Sequence, residues 1–129
     1  MLQVAGIRSV NWNAPDPRAA ERFYTEVLGG TVVRRLHIRG TEVADVQLGS
    51  VMLGLFDASA APAPGVPHHT LQMVWPAEQA AVVAELEQAG VRVQGTRTHG
   101  TGPGFSVYLQ DPLGNDLELS WDPPGATPG

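Results

Sequence analysis

The sequence predicts an α+β fold made of two βαβββ modules, and three observations lead to this prediction. First, apolar and polar residues alternate on both sides of a turn between Phe105 and Trp121, which is typical of two strands. Second, an apolar stripe at helical spacing lies between Asp16-Pro17 and Gly29-Gly30. Third, the second half of the chain repeats the order of elements in the first half.

The first module begins with a strand at Val10–Ala14, followed by a helix. Asp16 can cap the free N–H groups of that helix, Pro17 suits its first turn, and Gly29-Gly30 ends it. Its apolar residues form a stripe at helical spacing: Ala19, Ala20, Phe23, Tyr24, Val27 and Leu28. Turns at Arg39-Gly40 and Gly49-Ser50 separate three further predicted strands: Thr31–His37, Thr41–Leu48 and Val51–Phe56.

A linker rich in Ala and Pro separates the modules, and the pattern then restarts. The predicted elements of the second module are a strand at His69–Trp75, a helix at Pro76–Ala89, a strand at Val91–Arg97 and the closing hairpin. The halves align at an offset of 61, with Val10 on Leu71 and Gly29 on Gly90. We therefore expect one domain over residues 1–129, with modules at about 5–56 and 68–121 and a linker at 57–67.

Composition excludes several classes of function. The chain has 129 residues and a net charge of -5, and its eight Lys and Arg are scattered, so nucleic acid is not an expected partner. It contains no cysteine, which excludes disulfides and thiolate metal sites. No apolar run approaches the ~20 residues that a membrane helix needs, and no signal peptide is recognisable, so we expect no membrane partner and a cytoplasmic location.

Two motifs resemble a known family. The hairpin sequence DPLGNDLEL (residues 111–119) resembles the DPdGN-x-xEL ending of the vicinal-oxygen-chelate superfamily, which contains glyoxalases, bleomycin-resistance proteins and extradiol dioxygenases. APDPRAAERFYTEVLG (residues 14–29) is similar to the family's first helix, and the resemblance covers residues 5–121. It implies eight strands around a cup with the helices outside. A ferredoxin-like α+β sandwich and modules exchanged between two chains are the alternatives.

The resemblance also points to positions that hold a divalent metal in some family members. There, the first and last strand of each module supply His, Gln or Glu ligands. These positions fall on Ser9 and Gly54 in the first module, and on Glu118 in the last strand of the second. Catalytic zinc usually has three protein ligands, so an incomplete set favours no metal cofactor. A divalent ion on His69 and Glu118 is the alternative.

The remaining position of the second module is either His69 or Thr70. The local sequence PHHT favours His69, because family members often carry His there. The repeat favours Thr70, since it pairs Ser9 with Thr70 and turns Leu71 and Met73 towards the core. A slip of one residue sends every side chain of a strand to the opposite face.

Alternation predicts which side chains line the cup. A few polar groups among apolar walls are typical of a small-molecule pocket. The expected lining is Asn11, Asn13, Met52, Phe56, Thr70, Gln72, Ser106, Tyr108 and Glu118. The three tryptophans, Trp12, Trp75 and Trp121, have the opposite parity and are expected in the core.

Two functional hypotheses follow from this lining. The first is a metal-free binding protein that resembles the bleomycin-resistance branch, forms a homodimer and sequesters an aromatic or cationic natural product or antibiotic. The second is a lyase, isomerase or dioxygenase, in which Glu118 is the candidate catalytic residue as a metal ligand or a general base. His37, His68 and His99 could complete a metal site only from positions outside the family pattern, and His99 is assigned to a Gly-rich loop. The tail from Asp122 to Gly129 is expected to fray.

Overall fold

The computed structural model describes residues 2–112 and 114–125, and it confirms the α+β class and the order βαβββ–βαβββ. Most elements lie within a few residues of their predicted bounds. They are β1 Val4–Ala14, α1 Pro17–Arg22, a π-helical turn Phe23–Val27, β2 Thr31–Ile38, β3 Thr41–Leu48, β4 Val51–Asp57, β5 His68–Met73, α2 Gln79–Gln88, β6 Val93–Thr98, β7 Phe105–Gln110 and β8 Asp116–Trp121. No helix of the described chain is long and apolar enough to cross a bilayer.

The chain divides into two compact units. The first unit is Arg8–His69, and the second joins residues 2–7 to the described residues from Thr70 onwards. In the first unit the strands lie in the order β2-β3-β4-β1, with β4 antiparallel to β3 and parallel to β1. In the second unit the order is β5-β8-β7-β6, and β7 is antiparallel to both of its neighbours.

The first helix starts as predicted but ends differently. The Asp16 carboxylate accepts a hydrogen bond from the Ala19 N–H at 3.1 Å, and Pro17 occupies the first turn. The α-helix stops at Arg22 and continues as the π-helical turn, within which the Thr25 hydroxyl donates to the Glu21 carbonyl at 2.9 Å. A Cβ on Gly30 would lie 2.8 Å from the Tyr24 carbonyl oxygen, so only glycine fits where the chain leaves this turn.

The apolar stripe of this helix is only partly buried. Ala20 and Tyr24 pack on the core of the first unit, which contains Ala14, Val46, Leu53 and Leu55. Phe23, Val27 and Leu28 are 48%, 66% and 54% exposed, so this part of the stripe lies at the surface of the unit. Trp12 was assigned wrongly to the core, because it is 40% exposed and contacts Tyr24 at the surface.

The core of the second unit lies between its sheet and α2. Val82 and Leu86 of α2 pack with Val107, Leu119 and Trp121 of the sheet. The indole of Trp121 stacks on the ring of Phe105, with a centroid distance of 4.9 Å and an angle of 14° between the planes. Leu71 and Met73 of β5 belong to the same cluster.

The closing hairpin has the predicted turn. The Asp111 carboxylate accepts from the Asn115 N–H at 2.9 Å, and the Asp111 carbonyl accepts from the Gly114 N–H at 3.0 Å. Gly114 has a φ of 86°, which favours glycine. Leu113, which the sequence also assigned to this turn, lies outside the described residues, as do residues 126–129 of the predicted tail.

Candidate functional site

The second unit carries a polar face on the side of its sheet away from α2. Strand alternation turns Val107 and Leu119 towards α2 and sends their neighbours to the other side. On that side Ser106 lies opposite Ser120, and Tyr108 lies opposite Glu118. Both serines are fully buried, so the centre of this face is not exposed to solvent.

Glu118 is the centre of this face. Only 8% of the residue is exposed, although a carboxylate is costly to bury without partners. Its Oε1 accepts a hydrogen bond from the Thr70 hydroxyl at 3.2 Å, and its Oε2 accepts from the Ser106 hydroxyl at 2.6 Å. The Arg97 guanidinium lies 3.5 Å from Oε2 and balances the charge.

Arg97 and Tyr108 lie at the exposed edge of the same face. The Arg97 Nε donates to the Tyr108 oxygen at 3.0 Å. This hydrogen bond, together with the negative charge of Glu118, raises the pKa of the guanidinium, while partial burial works against the rise. The Arg97 side chain is 46% exposed, so it can meet both a ligand and the buried carboxylate.

Sequence reasoning missed two members of this network, His99 and Asp122. Asp122 lies in the predicted tail and His99 in the Gly-rich loop, yet His99 is only 8% exposed. Its Nδ1 lies 2.7 Å from Asp122 Oδ1, and its Nε2 lies 2.6 Å from Ser106 Oγ. The feature of the sequence that relates to this contact is the glycine at position 104. A Cβ there would lie 2.4 Å from Asp122 Oδ1, so the close approach of Asp122 requires glycine.

The structure places Thr70 and Gln72 of β5 close to this network. Thr70 is buried against Glu118, and Gln72 donates to the Ser120 carbonyl at 3.2 Å. This is the register in which Leu71 and Met73 reach the core. His69 ends the first unit, and its buried Nδ1 has no hydrogen-bond partner in the described part of the chain.

In the first unit, the predicted lining residues lie against the linker. Asn13 accepts from the Ala63 N–H at 2.8 Å and donates to the Val66 carbonyl at 3.2 Å. Phe56 is buried in a cluster with Val43 and Ala63. These contacts fasten the linker to β1 and β4.

Two further lining residues of the first unit are on the same pair of strands. Asn11 donates to the His68 carbonyl at 3.2 Å, and Met52 is half-buried opposite Ser9. Asn11 lies directly over Gly54, where a Cβ would be 2.2 Å from its Oδ1. Asn11 therefore fills the space that a side chain at position 54 would need.

The donor set does not fit the divalent metal that the family implies. Asn11 covers Gly54, and both oxygens of Glu118 already accept hydrogen bonds. The nearby Arg97 guanidinium also repels a cation. The described residues contain no group of three His, Cys, Asp or Glu side chains placed to hold a metal ion. The pair His69 and Glu118 as metal ligands stays a prediction.

A wide depression of about 670 Å³ lies elsewhere in the second unit. It runs along α2 from Glu78 to Glu87 and reaches Thr96 of β6. None of the predicted lining residues borders it. It is open to solvent and does not enclose a ligand, so we place the candidate site on the polar face instead.

The fold and these motifs define a glyoxalase-type protein. The sequence profile of the Glyoxalase/Bleomycin resistance protein/Dioxygenase superfamily matches residues 6–119, and the chain therefore belongs to this superfamily. No curated protein matches the chain in sequence.

Solved structures with the same fold include enzymes and a protein named only by family. Methylmalonyl-CoA epimerase from Mycobacterium tuberculosis is 19% identical, with a TM-score of 0.67 and coverage of 94% of this chain and 90% of that chain. A variant of the Streptomyces coelicolor methylmalonyl-CoA epimerase, in complex with 2-nitronate-propionyl-CoA, is also 19% identical, with a TM-score of 0.65 and coverage of 93% and 99%. A superfamily member from Vibrio splendidus 12B01 is 13% identical, with a TM-score of 0.62 and coverage of 95% and 100%. At these identities the similarity shows the fold alone.

Proposed function

We propose that this chain is a metal-free protein that binds an aromatic small molecule, such as a natural product or antibiotic, against the polar face of the second unit. The observation that carries the proposal is the arrangement of Arg97, Tyr108 and Glu118. The phenol ring of Tyr108 and the half-exposed guanidinium of Arg97 lie beside the Glu118 carboxylate, which already accepts hydrogen bonds from two hydroxyl groups. An approaching ligand would meet the cation before the buried anion.

This arrangement narrows the ligand class suggested by the sequence. A purely cationic ligand would be repelled by Arg97, whereas an aromatic ligand with an anionic group would pair with the guanidinium and contact Tyr108. The predicted homodimer and cytoplasmic location belong to the same proposal. Half-exposed apolar side chains on the first unit, Phe23, Leu28 and Val33, support the dimer.

Binding of the aromatic sulfonate 8-anilinonaphthalene-1-sulfonate, measured by calorimetry in the presence of EDTA, tests the proposal. We expect one site per chain, and we expect Arg97→Gln to weaken binding by about five- to tenfold, because it removes a charge-assisted hydrogen bond. Arg92→Gln is the matched control, since Arg92 is exposed and lies before β6. Equal affinity in the two variants would contradict the proposed location, and binding that requires a divalent metal would contradict the metal-free site.

A second candidate function is a proton-transfer enzyme, because Glu118 ends a buried row of hydrogen-bonded acid–base groups. Glu118 would exchange a proton with carbon next to a carbonyl group in the substrate. Since two proteins of the same fold are methylmalonyl-CoA epimerases, methylmalonyl-CoA is a suitable probe.

Incubation of methylmalonyl-CoA with the protein in D₂O and EDTA, followed by proton NMR, tests this candidate. We expect deuterium to enter at the carbon between the two carbonyl groups, and we expect a loss of at least 100-fold in rate for Glu118→Gln, which is the usual size of a general-base contribution. An exchange rate equal to that of the protein-free sample would show that the protein does not catalyse proton exchange on this thioester, and it would contradict the second candidate function.

A further inference from the structure

The outer strands of the two units, β2 and β6, each contain a β-bulge at the same place in the repeat. In β2 the pairing with β3 shifts between Val32 and Arg34, and in β6 the pairing with β7 shifts between Val93 and Gly95. The offset of 61 that aligns the two halves of the sequence also relates these two positions. A bulge adds one residue to a strand, so the side chains that follow it change face.

In the first unit the bulge determines which side chain meets Asp45. Val32 lies opposite Val46, and both pack in the core of the unit. If alternation simply continued, Val33 would lie opposite Asp45 on the other face. The bulge places Arg34 opposite Asp45 instead, and the Arg34 Nε donates to Asp45 Oδ2 at 2.5 Å. The bulge thus brings a cation to a carboxylate residue that is only 7% exposed.

The bulge in the second unit has the same consequence. Val93 lies opposite Leu109 in the core beneath α2, and the bulge places Arg97 opposite Ser106 on the polar face. In both units, therefore, an arginine of the outer strand lies against a carboxylate of the sheet. The arginine side chains are 62% and 46% exposed, and the carboxylate side chains are 9% and 11% exposed. The pair in the first unit repeats the arrangement to which we assign ligand binding in the second.

The end of the Arg34 guanidinium is available for a further hydrogen-bond acceptor. Only its Nε binds Asp45, and neither Nη group has a partner among the described residues. Arg35, the next residue, differs, because its two Nη groups donate to the two carboxylate oxygens of Glu21. Two parallel N–H groups of a guanidinium match two oxygens of a carboxylate or phosphoryl group. Arg34 retains this pair of donors, whereas Arg35 already uses it.

Asp45 holds the Arg34 guanidinium in place before any ligand arrives. An arginine that is fixed in advance loses less rotamer freedom on binding than a mobile one. The ion pair is kept, because a buried carboxylate is costly without a partner. The charge of Asp45 opposes an incoming anion, but the Nη groups lie on the far side of the guanidinium carbon from Nε, where this repulsion is weaker.

We propose that Arg34 is a second oxyanion-binding site, in the first unit, and that it takes a carboxylate or phosphoryl group of a small molecule. The site goes beyond the proposed function, because it uses no residue of the polar face. No aromatic ring of the described residues contacts the Arg34 guanidinium, so the site has no preference for an aromatic ligand. A small anion without rings is therefore the appropriate probe.

Titration of isotope-labelled protein with inorganic phosphate, and separately with acetate, at constant ionic strength tests the proposal. Carbon-detected spectra observe the ¹³Cζ and ¹⁵Nη signals of each arginine. We expect the Arg34 signals to shift and saturate, and the Arg35 signals to stay in place because Glu21 occupies its Nη groups. Arg92, which is exposed and lies before β6, measures non-specific attraction.

The two probes distinguish the two sources of an oxyanion. Saturation of Arg34 by phosphate alone assigns the site to a phosphoryl group, and saturation by acetate alone assigns it to a carboxylate. Saturation by both assigns it to either group, and each of these three results supports the proposal. No saturation at Arg34, or the same affinity at Arg34 and Arg92, would overturn it.

Arg34→Lys separates the geometry of the guanidinium from its charge. Lysine keeps a cation beside Asp45, but it is a point charge and does not present two parallel N–H groups. We expect the affinity for the saturating probe, followed by the Asp45 backbone amide signal, to fall by at least about tenfold, since a charge-assisted hydrogen bond is lost. Arg35→Lys is the matched control and should leave the affinity unchanged. Equal affinity in Arg34→Lys and wild type would overturn the proposal, because binding would then depend on charge alone.

The wild-type comparison of Arg34 with Arg35 and Arg92 decides the question even if Arg34→Lys does not fold. Repeating the titration with Arg97→Gln protein should give the same response at Arg34, so the outcome is independent of the site on the polar face. Aromatic sulfonate binding without an Arg34 response would leave the proposed function intact and remove this second site. An Arg34 response without aromatic sulfonate binding would do the reverse.

Discussion

Replacing Trp121 by alanine is expected to lower the free energy of unfolding by about 3–5 kcal/mol, the usual cost of deleting a large buried aromatic side chain. Trp121 is 1% exposed and stacks on Phe105 in the core beneath α2. Its removal leaves a cavity between the last strand and the helix, and neighbours on a sheet cannot collapse into it fully. Urea unfolding followed by circular dichroism measures the loss.

Trp12→Ala is the matched control for this experiment. Trp12 has the same parity in its strand but is 40% exposed, and its main aromatic contact is Tyr24 at a centroid distance of 6.1 Å. We expect a loss of about 1 kcal/mol or less, as for most partly exposed positions. Equal losses in the two variants would mean that Trp121 is not the anchor of the core.

Gly104→Ala is expected to destabilise the protein by about 1–3 kcal/mol, the range for inserting atoms into packed structure. The new Cβ would lie 2.4 Å from Asp122 Oδ1 and 3.0 Å from both His99 Nδ1 and the Trp121 carbonyl oxygen. The Trp121 oxygen belongs to the backbone and cannot rotate away. Because the Asp122 side chain can rotate, its carboxylate is expected to move away from the new Cβ and so from His99. The ¹⁵N signal of His99 Nδ1 should then change together with the free energy of unfolding.

Gly95→Ala provides the comparison within the same unit. A Cβ at Gly95 would meet no atom within 4 Å, and the backbone there does not have a positive φ. We expect a change in the free energy of unfolding of less than about 0.5 kcal/mol and an unchanged His99 signal. If Gly104→Ala behaves like Gly95→Ala, then position 104 has room that the described geometry does not show.

Periodicity was sufficient to predict the elements, and the reason is local. Alternation from Phe105 to Trp121 and the turn residues around Gly114 depend only on neighbours in the sequence. The end of the first helix depends on contacts with β3, because Gly30 leaves room for Val46 and Leu48. The π-helical turn was therefore not predictable from the apolar stripe.

Alternation assigns a side chain to a face of a sheet but does not say what covers that face. Trp12 and Trp121 have the same parity, and only Trp121 is covered. Likewise, Asn13 forms hydrogen bonds with the linker and Phe56 packs with Ala63 of the linker, and alternation predicts neither contact.

The candidate site was predictable only where it lies on strands. Thr70, Ser106 and Glu118 follow from the strand register. His99 and Asp122 lie 23 residues apart in segments without periodicity, so only the path of the backbone brings them together. Those two residues change the interpretation of Glu118 from a lone carboxylate to the end of a hydrogen-bonded row.

The strand β1 has a consequence for how the chain reaches its native state. Leu2 packs against the core of the second unit, and the Gln3 carbonyl accepts from the Val74 N–H at 2.9 Å. These residues lead directly into β1, which continues into the first unit. The second unit is therefore discontinuous in sequence, and its completion requires a long loop to close around the whole first unit. Long-range closure of this kind slows folding, so the first unit can form early during synthesis. Dividing the gene at the linker would leave the second half without the segment that completes its core.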